Sequence, residues 1–275
     1  MFAGLYGDLG TLALGLVIAA VVSGVVGGML GLGSGIVIVP VLYHVLASAG
    51  VPEDMRMHMA IGTSLAAIVP TALSSLASNI KDGTVDWTLV KRFAAPLAAG
   101  VALGAAADWL VPGQVLALVF GLVALPVAGE LAFAKESWRL AESVPGGAAG
   151  IALPFGIGTL STVMGIGGST FAVPAMTLCG VPLSRAAATA SAFAVMISVP
   201  GAIAAALTGW DAPHLPAASY GYVNLLGFAL VAPVTFVVTP LGARYAHLTD
   251  RTRLSRTFSL FVAVTAAKML WDAVN

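Results

Sequence analysis

The sequence predicts an all-α, polytopic membrane protein with two inverted repeats, each with broken or short helices around a glycine-rich motif. Apolar residues make up 59% of the 275 positions and charged residues only 9%, whereas a soluble domain carries roughly 25% charge. Asp, Glu, Lys and Arg are absent from three long stretches: residues 9–52, 143–184 and 212–243. This composition argues against a soluble enzyme, a nucleic-acid-binding protein and a disulfide scaffold.

Ten apolar segments are predicted to be helices, because a backbone in lipid must satisfy its own hydrogen bonds. Glycine and proline residues divide the charge-free stretches into these segments. They are 10–30, 35–49, 59–79, 89–110, 113–134, 146–165, 169–180, 186–208, 221–246 and 254–274. The second and the seventh are shorter than the roughly 20 residues of a spanning helix. Each of these two either crosses at a thin place or forms half of a re-entrant hairpin.

Short blocks of sequence recur in the same order in the two halves of the chain. Residues 31–40 (GLGSGIVIVP) align without gaps with residues 165–174 (GIGGSTFAVP). Further on, residues 83–86 (GTVD) align with residues 221–224 (GYVN). Internal repeats are typical of secondary transporters, which bind substrate at the repeat interface. Two transmembrane repeats are therefore predicted, at residues 1–140 and 141–275.

The positive charges indicate how these repeats are oriented. If each half crosses the membrane an odd number of times, ten of the twelve basic residues fall on one side, and Arg56 and Lys268 fall on the other. This division follows the positive-inside rule. If each motif instead formed part of a single broken helix that crosses once, basic residues would fall on both sides of the membrane and this bias would disappear. We therefore expect inverted repeats, with both termini outside the cytoplasm and the basic loops near residues 81–92, 135–139 and 244–256 inside.

The glycine motifs have the chemistry of an anion site. Glycine permits positive φ, and irregular backbone at membrane depth is tolerated only where protein buries it or it lines a water-filled cavity. The short helix after each motif begins with free N–H groups and a positive dipole end, which bind anions. The predicted substrate-binding residues are Gly31, Gly33, Ser34, Gly35, Thr63, Ser64, Gly165, Gly167, Gly168, Ser169, Thr170, Thr189 and Ser191.

Structural interpretations of the same residues stay open at this point. The four-residue spacing of Gly24 and Gly28, or of Gly27, Gly31 and Gly35, also suits close helix packing. Serine and threonine hydroxyls inside membrane helices often bond the preceding turn. A phosphate-binding loop is excluded because no Lys-Ser/Thr pair follows the glycines, and a dinucleotide site lacks its acidic residue about 20 positions on.

Four further side chains could contact the charge of a substrate: Arg56, His58, Arg185 and His44. The first three are interpreted mainly as interfacial charges. His44 lies inside a short apolar helix, where an ionisable residue is a functional candidate, although a neutral histidine can also pack there. Asp108 and Glu130 lie near predicted helix ends, so the sequence predicts no proton relay. It also predicts no metal site and no cofactor.

The paired motifs resemble those of the TauE/SafE sulfite-exporter family, and so do residues 62–64 (GTS) and the turn at residues 83–86. The resemblance covers nearly the whole chain. Ser34 and Ser169 interrupt the triple glycine that is usual in the family. Membership would imply an integral protein of the bacterial inner membrane that moves sulfur-containing anions such as sulfite and sulfoacetate.

The resulting hypothesis is a membrane transporter, not an enzyme, that exports sulfite or an organosulfonate by alternating access. Its partners are a small anion and the lipid bilayer, and it binds no nucleic acid. An anion channel of the same fold is the first alternative, and conductance far above carrier turnover would favour it. A polytopic membrane enzyme is a second alternative, but the four histidines and the single cysteine lie on different segments.

Overall fold

The computed structural model describes residues 2–31, 33–133, 141, 143–213, 215–216, 218–245 and 251–274. These residues form ten helices: α1 (Phe2–Leu30), α2 (Gly35–Ser48), α3 (Glu53–Lys81), α4 (Trp87–Leu110), α5 (Gly113–Phe133), α6 (Gly147–Val163), α7 (Ser169–Leu178), α8 (Leu183–Thr208), α9 (Leu225–Tyr245) and α10 (Arg251–Val274). Two short strands, β1 (Ser219–Tyr220) and β2 (Val223–Asn224), pair antiparallel. Seven helices are long and apolar enough to span a membrane: α1, α3, α4, α5, α8, α9 and α10. The all-α polytopic prediction is confirmed.

Three predicted helix starts differ clearly from the structure. Helix α1 begins at Phe2 and not at residue 10. Helix α3 begins at Glu53 and not at residue 59, because Pro52 precedes a first turn in which Glu53 and Asp54 complement the helix dipole. Helix α9 begins at Leu225 and not at residue 221, because the β1–β2 hairpin precedes it. Asn224 starts that helix by accepting a hydrogen bond from the Gly227 N–H at 2.8 Å.

Helices α6 and α7 form a hairpin that returns to the end of the bundle where it began. The Leu178 carbonyl at the end of α7 accepts a hydrogen bond at 3.2 Å from the Ala141 N–H, which lies just before α6. At 1.5 Å per residue α7 is about 15 Å long and α2 about 21 Å, so neither reaches across a core of about 30 Å. Helix α2 likewise packs back along α1.

The helix termini meet at two ends of the bundle. At the first, named the His58 end, the contacts are His58–Asp108 (3.1 Å), His44–Asp272 (3.7 Å) and Gln114–Glu53 (3.1 Å). At the second, named the Arg92 end, they are Arg92–Pro145 (2.5 Å), Ala141–Leu178 (3.2 Å), Asn79–Ser191 (3.2 Å) and Ser255–Leu131 (2.5 Å). The helix termini therefore define two distinct ends of the bundle.

The described basic residues divide between these two ends as the sequence predicts. Arg56 and Lys268 lie at the His58 end, near His44. The basic residues at the Arg92 end are Lys81, Lys91, Arg92, Arg185, Arg244, Arg251, Arg253 and Arg256. Lys135 and Arg139 lie outside the described residues. Which end faces the cytoplasm stays a prediction.

Helices α3 and α8 pack together at the centre of the bundle and are the most buried of the seven long helices. Around them α1 pairs with α9, α4 with α6, and α5 with α10. Glycines bring the first two pairs close: a Cβ on Gly28 would overlap the Thr239 carbonyl oxygen, and one on Gly100 would overlap that of Phe155. Close packing therefore explains Gly28, as the alternative interpretation of the sequence expected.

Candidate functional site

The two glycine motifs meet in the centre of the molecule. We call residues 31–35 the first break and residues 165–169 the second break. A Cβ built on Gly33 would lie 2.5 Å from the Ser169 Oγ, and one built on Gly35 would lie 2.7 Å from the Ile166 Cα. The backbones of the two breaks therefore contact each other, 134 residues apart in sequence. A side chain at either glycine would disturb this contact.

The middle turns of the two central helices enclose the breaks. Ile68 of α3 lies against both Gly35 and Gly167, and Ala194 of α8 also lies near Gly167. Ser64 of α3 donates a hydrogen bond to the Gly165 carbonyl at 2.8 Å and fixes the second break to that helix. The breaks are thus held at mid-depth in the α3–α8 pair.

The backbone of each break needs glycine at two positions. Gly31 and Gly165, which align in the two motifs, have φ of +72° and +67°. The second left-handed residue is Gly33 in the first break, with φ +76°, but it is Gly168 in the second, with φ +81°. Gly167 does not have positive φ, so the expected equivalence of Gly33 and Gly167 does not extend to their backbone conformation.

Both breaks lead directly into a helix N-terminus. The Ser34 carbonyl accepts the first intrahelical bonds of α2, and the Gly168 carbonyl accepts those of α7, at 2.9 Å from Ala172. The N–H groups of Gly35, Ile36 and Ser169 precede these bonds and have no intrahelical acceptor. No side chain of the N-cap residues covers them. Each helix therefore directs N–H donors and a partial positive charge towards the centre.

Thr63 and Thr189 each fasten a turn of the other half of the chain. The Thr63 Oγ1 accepts a hydrogen bond from the Asn224 N–H at 2.9 Å, and the Thr189 Oγ1 accepts one from the Asp86 N–H at 3.1 Å. Asp86 and Asn224 are the last residues of the repeated GTVD and GYVN turns. Both threonines were predicted site residues, and both turns were recognised as repeats. In the fold, each threonine bonds the turn of the other half.

The other predicted hydroxyl residues near the breaks differ in their surroundings. Ser191 donates to the Ala188 carbonyl at 2.6 Å and accepts from Asn79 at 3.2 Å, at the Arg92 end. Ser34 is buried, and its carbonyl also accepts a hydrogen bond from Ser23 at 2.5 Å. Thr170 is buried in the first turn of α7. Ser34, Thr170 and Ser169 lie at the breaks, whereas Ser191 lies away from them.

Two hydroxyl groups at the second break have no hydrogen-bond partner among the described residues. Ser161 of α6 and Ser198 of α8 are both fully buried, with 0% exposure, and neither Oγ is hydrogen-bonded. The Ser161 Oγ lies 3.6 Å from a Cβ built on Gly168. Neither serine was predicted from the sequence. A lone serine on an apolar helix gives no signal, because its partner depends on the packing of other segments.

The charged candidates lie at the ends of the bundle and not at the breaks. Arg56 donates to the Val51 carbonyl at 2.7 Å. With His44, Glu53 and Asp272 it lines a cavity of about 230 Å³ at the His58 end. Arg185 is exposed on the first turn of α8 at the Arg92 end. Substrate held between the breaks would meet these residues only on entry or exit.

His58 forms a buried hydrogen-bonded pair with Asp108 that the sequence did not predict. Its Nδ1 lies 3.1 Å from the Asp108 Oδ1, and the two residues are 7% and 4% exposed. Its ring stacks on Tyr222 with the centroids 5.0 Å apart. Burial raises the pKa of the Tyr222 phenol, and the Asp108 and Asp54 carboxylates act in the same direction. The interpretation of His58 as an interfacial charge is therefore wrong, because three elements bury it.

Comparison with known proteins identifies the family. Residues 16–269 match the family described as Sulfite exporter TauE/SafE. A probable membrane transporter protein of Haemophilus influenzae is 28% identical over 87% of this chain and 90% of its own length. The probable membrane transporter protein YunE of Bacillus subtilis is 29% identical over 94% of this chain and 97% of its own length. No solved structure matches. The chain belongs to the sulfite exporter TauE/SafE family and is a multi-pass membrane transporter.

Proposed function

We propose that this protein exports a small sulfur-containing anion, sulfite or an organosulfonate such as sulfoacetate, across the bacterial inner membrane by alternating access. The observation that carries the proposal is the contact between the two breaks, Gly33 against Ser169, at mid-depth between α3 and α8. Two helix N-termini converge there. Such termini bind oxyanions through backbone N–H groups, so no buried arginine or lysine is needed.

Alternating access further requires two halves that can exchange conformations, and the packing supports this reading. We propose residues 1–140 and 141–275 as inverted repeats. If the two repeats are equivalent, α1–α5 correspond in order to α6–α10, and the reverse also holds. The α1–α9 pair then corresponds to α6–α4, and the α2–α3 pair corresponds to α7–α8. The crosswise Thr63–Asn224 and Thr189–Asp86 bonds correspond in the same way. Transporters with such repeats rock one part against another around a fixed site.

Within this site the predicted residues take two roles. We propose that the N–H groups of Gly35 and Ser169 and the hydroxyls at the breaks contact the anion. Thr63, Thr189 and Ser191 instead have a structural role, because their side-chain oxygens already form hydrogen bonds with backbone groups. Substrate specificity would then come from the geometry of the breaks, and the arginines at the two ends would guide anions electrostatically.

A transport assay in proteoliposomes tests the proposal. The reconstituted protein is supplied with sulfite, sulfoacetate and methanesulfonate, and with phosphate and acetate as non-sulfur controls. We expect saturable uptake of at least one sulfur anion, with faster uptake when the same anion is preloaded inside. Conductance without such counterflow would indicate a channel, and uptake of acetate or phosphate alone would contradict the proposed substrate class.

Labelling of single cysteines tests the predicted orientation. In a Cys179→Ser background, Asp211→Cys places a thiol on an exposed residue at the His58 end, and Lys91→Cys places one at the Arg92 end. An impermeant maleimide added to intact cells should label position 211 and should reach position 91 only after permeabilisation, because the basic end is expected inside. The opposite labelling pattern would contradict the predicted topology.

A further inference from the structure

We infer that the hydroxyl groups of Ser161 and Ser198 bind the anion, so that the substrate oxygens lie in the second break and not symmetrically between the two. This inference rests on the proposed function and makes it more specific. It assigns ligand groups to α6 and α8, beside the N-terminus of α7.

These two serines have no hydrogen-bond partner among the described residues. Buried polar groups in folded proteins are almost always hydrogen-bonded, and an exception needs an explanation such as a bound ion. Hydroxyls inside membrane helices usually bond the preceding turn. Thr162, next to Ser161, does so with the Gly158 carbonyl at 2.8 Å. Ser161 and Ser198 are fully buried without such a bond, so two donors are available there.

Both hydroxyl donors lie close to the second break. The Ser161 Oγ is 3.6 Å from a Cβ built on Gly168, the N-cap residue of α7. Ser198 lies one turn after Ala194, which is 3.8 Å from a Cβ on Gly167. It lies three residues before Gly201, where a Cβ would be 2.8 Å from Leu65 and 3.7 Å from Thr162. Both hydroxyls are therefore on the helix faces that pack against the second break, where the N–H of Ser169 begins α7.

The first break differs from the second in the side chains that surround it. Gly27 corresponds to Ser161 at the offset of 134 residues that relates the two motifs. It has no space for a side chain, because a Cβ there would lie 2.5 Å from the Gly33 carbonyl oxygen. Ala72 corresponds to Ser198 at the sequence offset that relates Thr63 to Thr189. Ser23 of α1, which also lies near the first break, donates a hydrogen bond to the Ser34 carbonyl. Among the described residues, the helices around the first break therefore carry no counterpart of the Ser161 and Ser198 hydroxyls.

Two hydroxyl donors beside a helix N-terminus fit an oxyanion with at least two accepting oxygens. A sulfite ion or the sulfonate head of an organosulfonate has three such oxygens. A helix N-terminus favours negative charge, so the same donors are poorly placed to hold a cation. Ile197 limits the space, because a Cβ on Gly168 would overlap its side chain. A small head group is therefore favoured over a bulky one.

Ligand-induced thermal stabilisation of the purified full-length protein tests this assignment. Melting is measured against concentration of sulfite, methanesulfonate, phosphate and acetate for the wild type and for Ser161→Ala, Ser161→Cys and Ser198→Ala. Charge-assisted hydrogen bonds are the stronger class, so each alanine variant should weaken the Kd for the bound anion about tenfold or more. The unliganded melting temperature should stay the same or rise, because a buried donor without a partner is removed. Ser161→Cys keeps the side-chain volume and should also weaken binding.

Ser23→Ala is the matched control, since it removes a buried hydroxyl that does have a partner. It should lower the unliganded melting temperature without changing the Kd. Unchanged affinity in both Ser161→Ala and Ser198→Ala would overturn the assignment while leaving the proposed function intact. Loss of phosphate or acetate binding in these variants, with no response to sulfur anions, would support the assignment and contradict the proposed substrate. No stabilisation of the wild type by any of the four anions would overturn both.

Discussion

Replacement of His58 by alanine is expected to lower the free energy of unfolding by about 3–5 kcal/mol, because it leaves the Asp108 carboxylate buried without its partner. Both residues are nearly inaccessible, and their atoms are 3.1 Å apart. The substitution also removes the ring that stacks on Tyr222. The measurement is thermal unfolding of the purified protein, in which a loss of this size lowers the midpoint by roughly 10 °C.

Two controls separate the buried charge from the lost volume. Adding Asp108→Asn to His58→Ala removes the uncompensated carboxylate and should restore most of the lost stability. His44→Ala removes another histidine at the same end, whose 3.7 Å contact with Asp272 is partly exposed. Exposed pairs contribute about 0–1 kcal/mol, so its midpoint should change little. Equal destabilisation by both histidine substitutions, without rescue by Asp108→Asn, would contradict the explanation from the buried His58–Asp108 contact.

Replacement of Gly33 by alanine is expected to abolish anion binding while the protein still folds. The residue has φ +76°, and its new Cβ would lie 2.5 Å from the Ser169 Oγ. A serine side chain can rotate away, so the fold should survive, but the Ser169 hydroxyl would leave its place at the start of α7. The left-handed conformation itself should cost about 1–2 kcal/mol. Ligand-induced stabilisation with sulfite or methanesulfonate measures the loss.

Two other glycines provide matched controls for Gly33. Gly50 has nearly the same φ, +78°, with open space around it, so Gly50→Ala should show the strain alone and normal anion binding. Gly100 packs against the Phe155 carbonyl oxygen, so Gly100→Ala should reduce folded yield at the α4–α6 contact. A Gly33→Ala protein that melts as poorly as Gly100→Ala, yet keeps normal ligand stabilisation, would show that the first break is structural.

Much of the fold could be predicted from composition and local sequence. Charge-free runs divided by glycine and proline give helices in lipid, because the backbone has no other hydrogen-bond partners there. The end of α4 near Leu110 and the starts of α2 and α7 were therefore predictable. The start of α9 was not, because the charge-free run 212–243 gives no boundary at that point. Residues 219–224 pair as a hairpin only in the context of α3 and α8.

The candidate site was less predictable than the fold. The two breaks could be recognised from their repeated glycines, but their mutual contact follows from packing between α3 and α8. His58 and Asp108 are 50 residues apart and belong to no shared motif in the sequence, yet α3 and α4 bring them together. In sequence, nothing distinguishes Ser161 and Ser198 from other helix serines. In the structure, their buried hydroxyls have no hydrogen-bond partner among the described residues. Such a property exists only after the neighbouring helices are in place.

The central claim is that sulfite or a sulfonate binds where the two breaks meet. Selenite has the shape and charge of sulfite, and its selenium scatters X-rays anomalously, so crystals of the protein soaked in selenite test the claim directly. The account predicts one dominant anomalous peak at mid-depth beside the second break, with the selenite oxygens within hydrogen-bond distance of the Ser161, Ser198 and Ser169 hydroxyl or N–H groups. A dominant peak in the cavity at the His58 end, lined by His44 and Arg56, with none between the breaks, would contradict it.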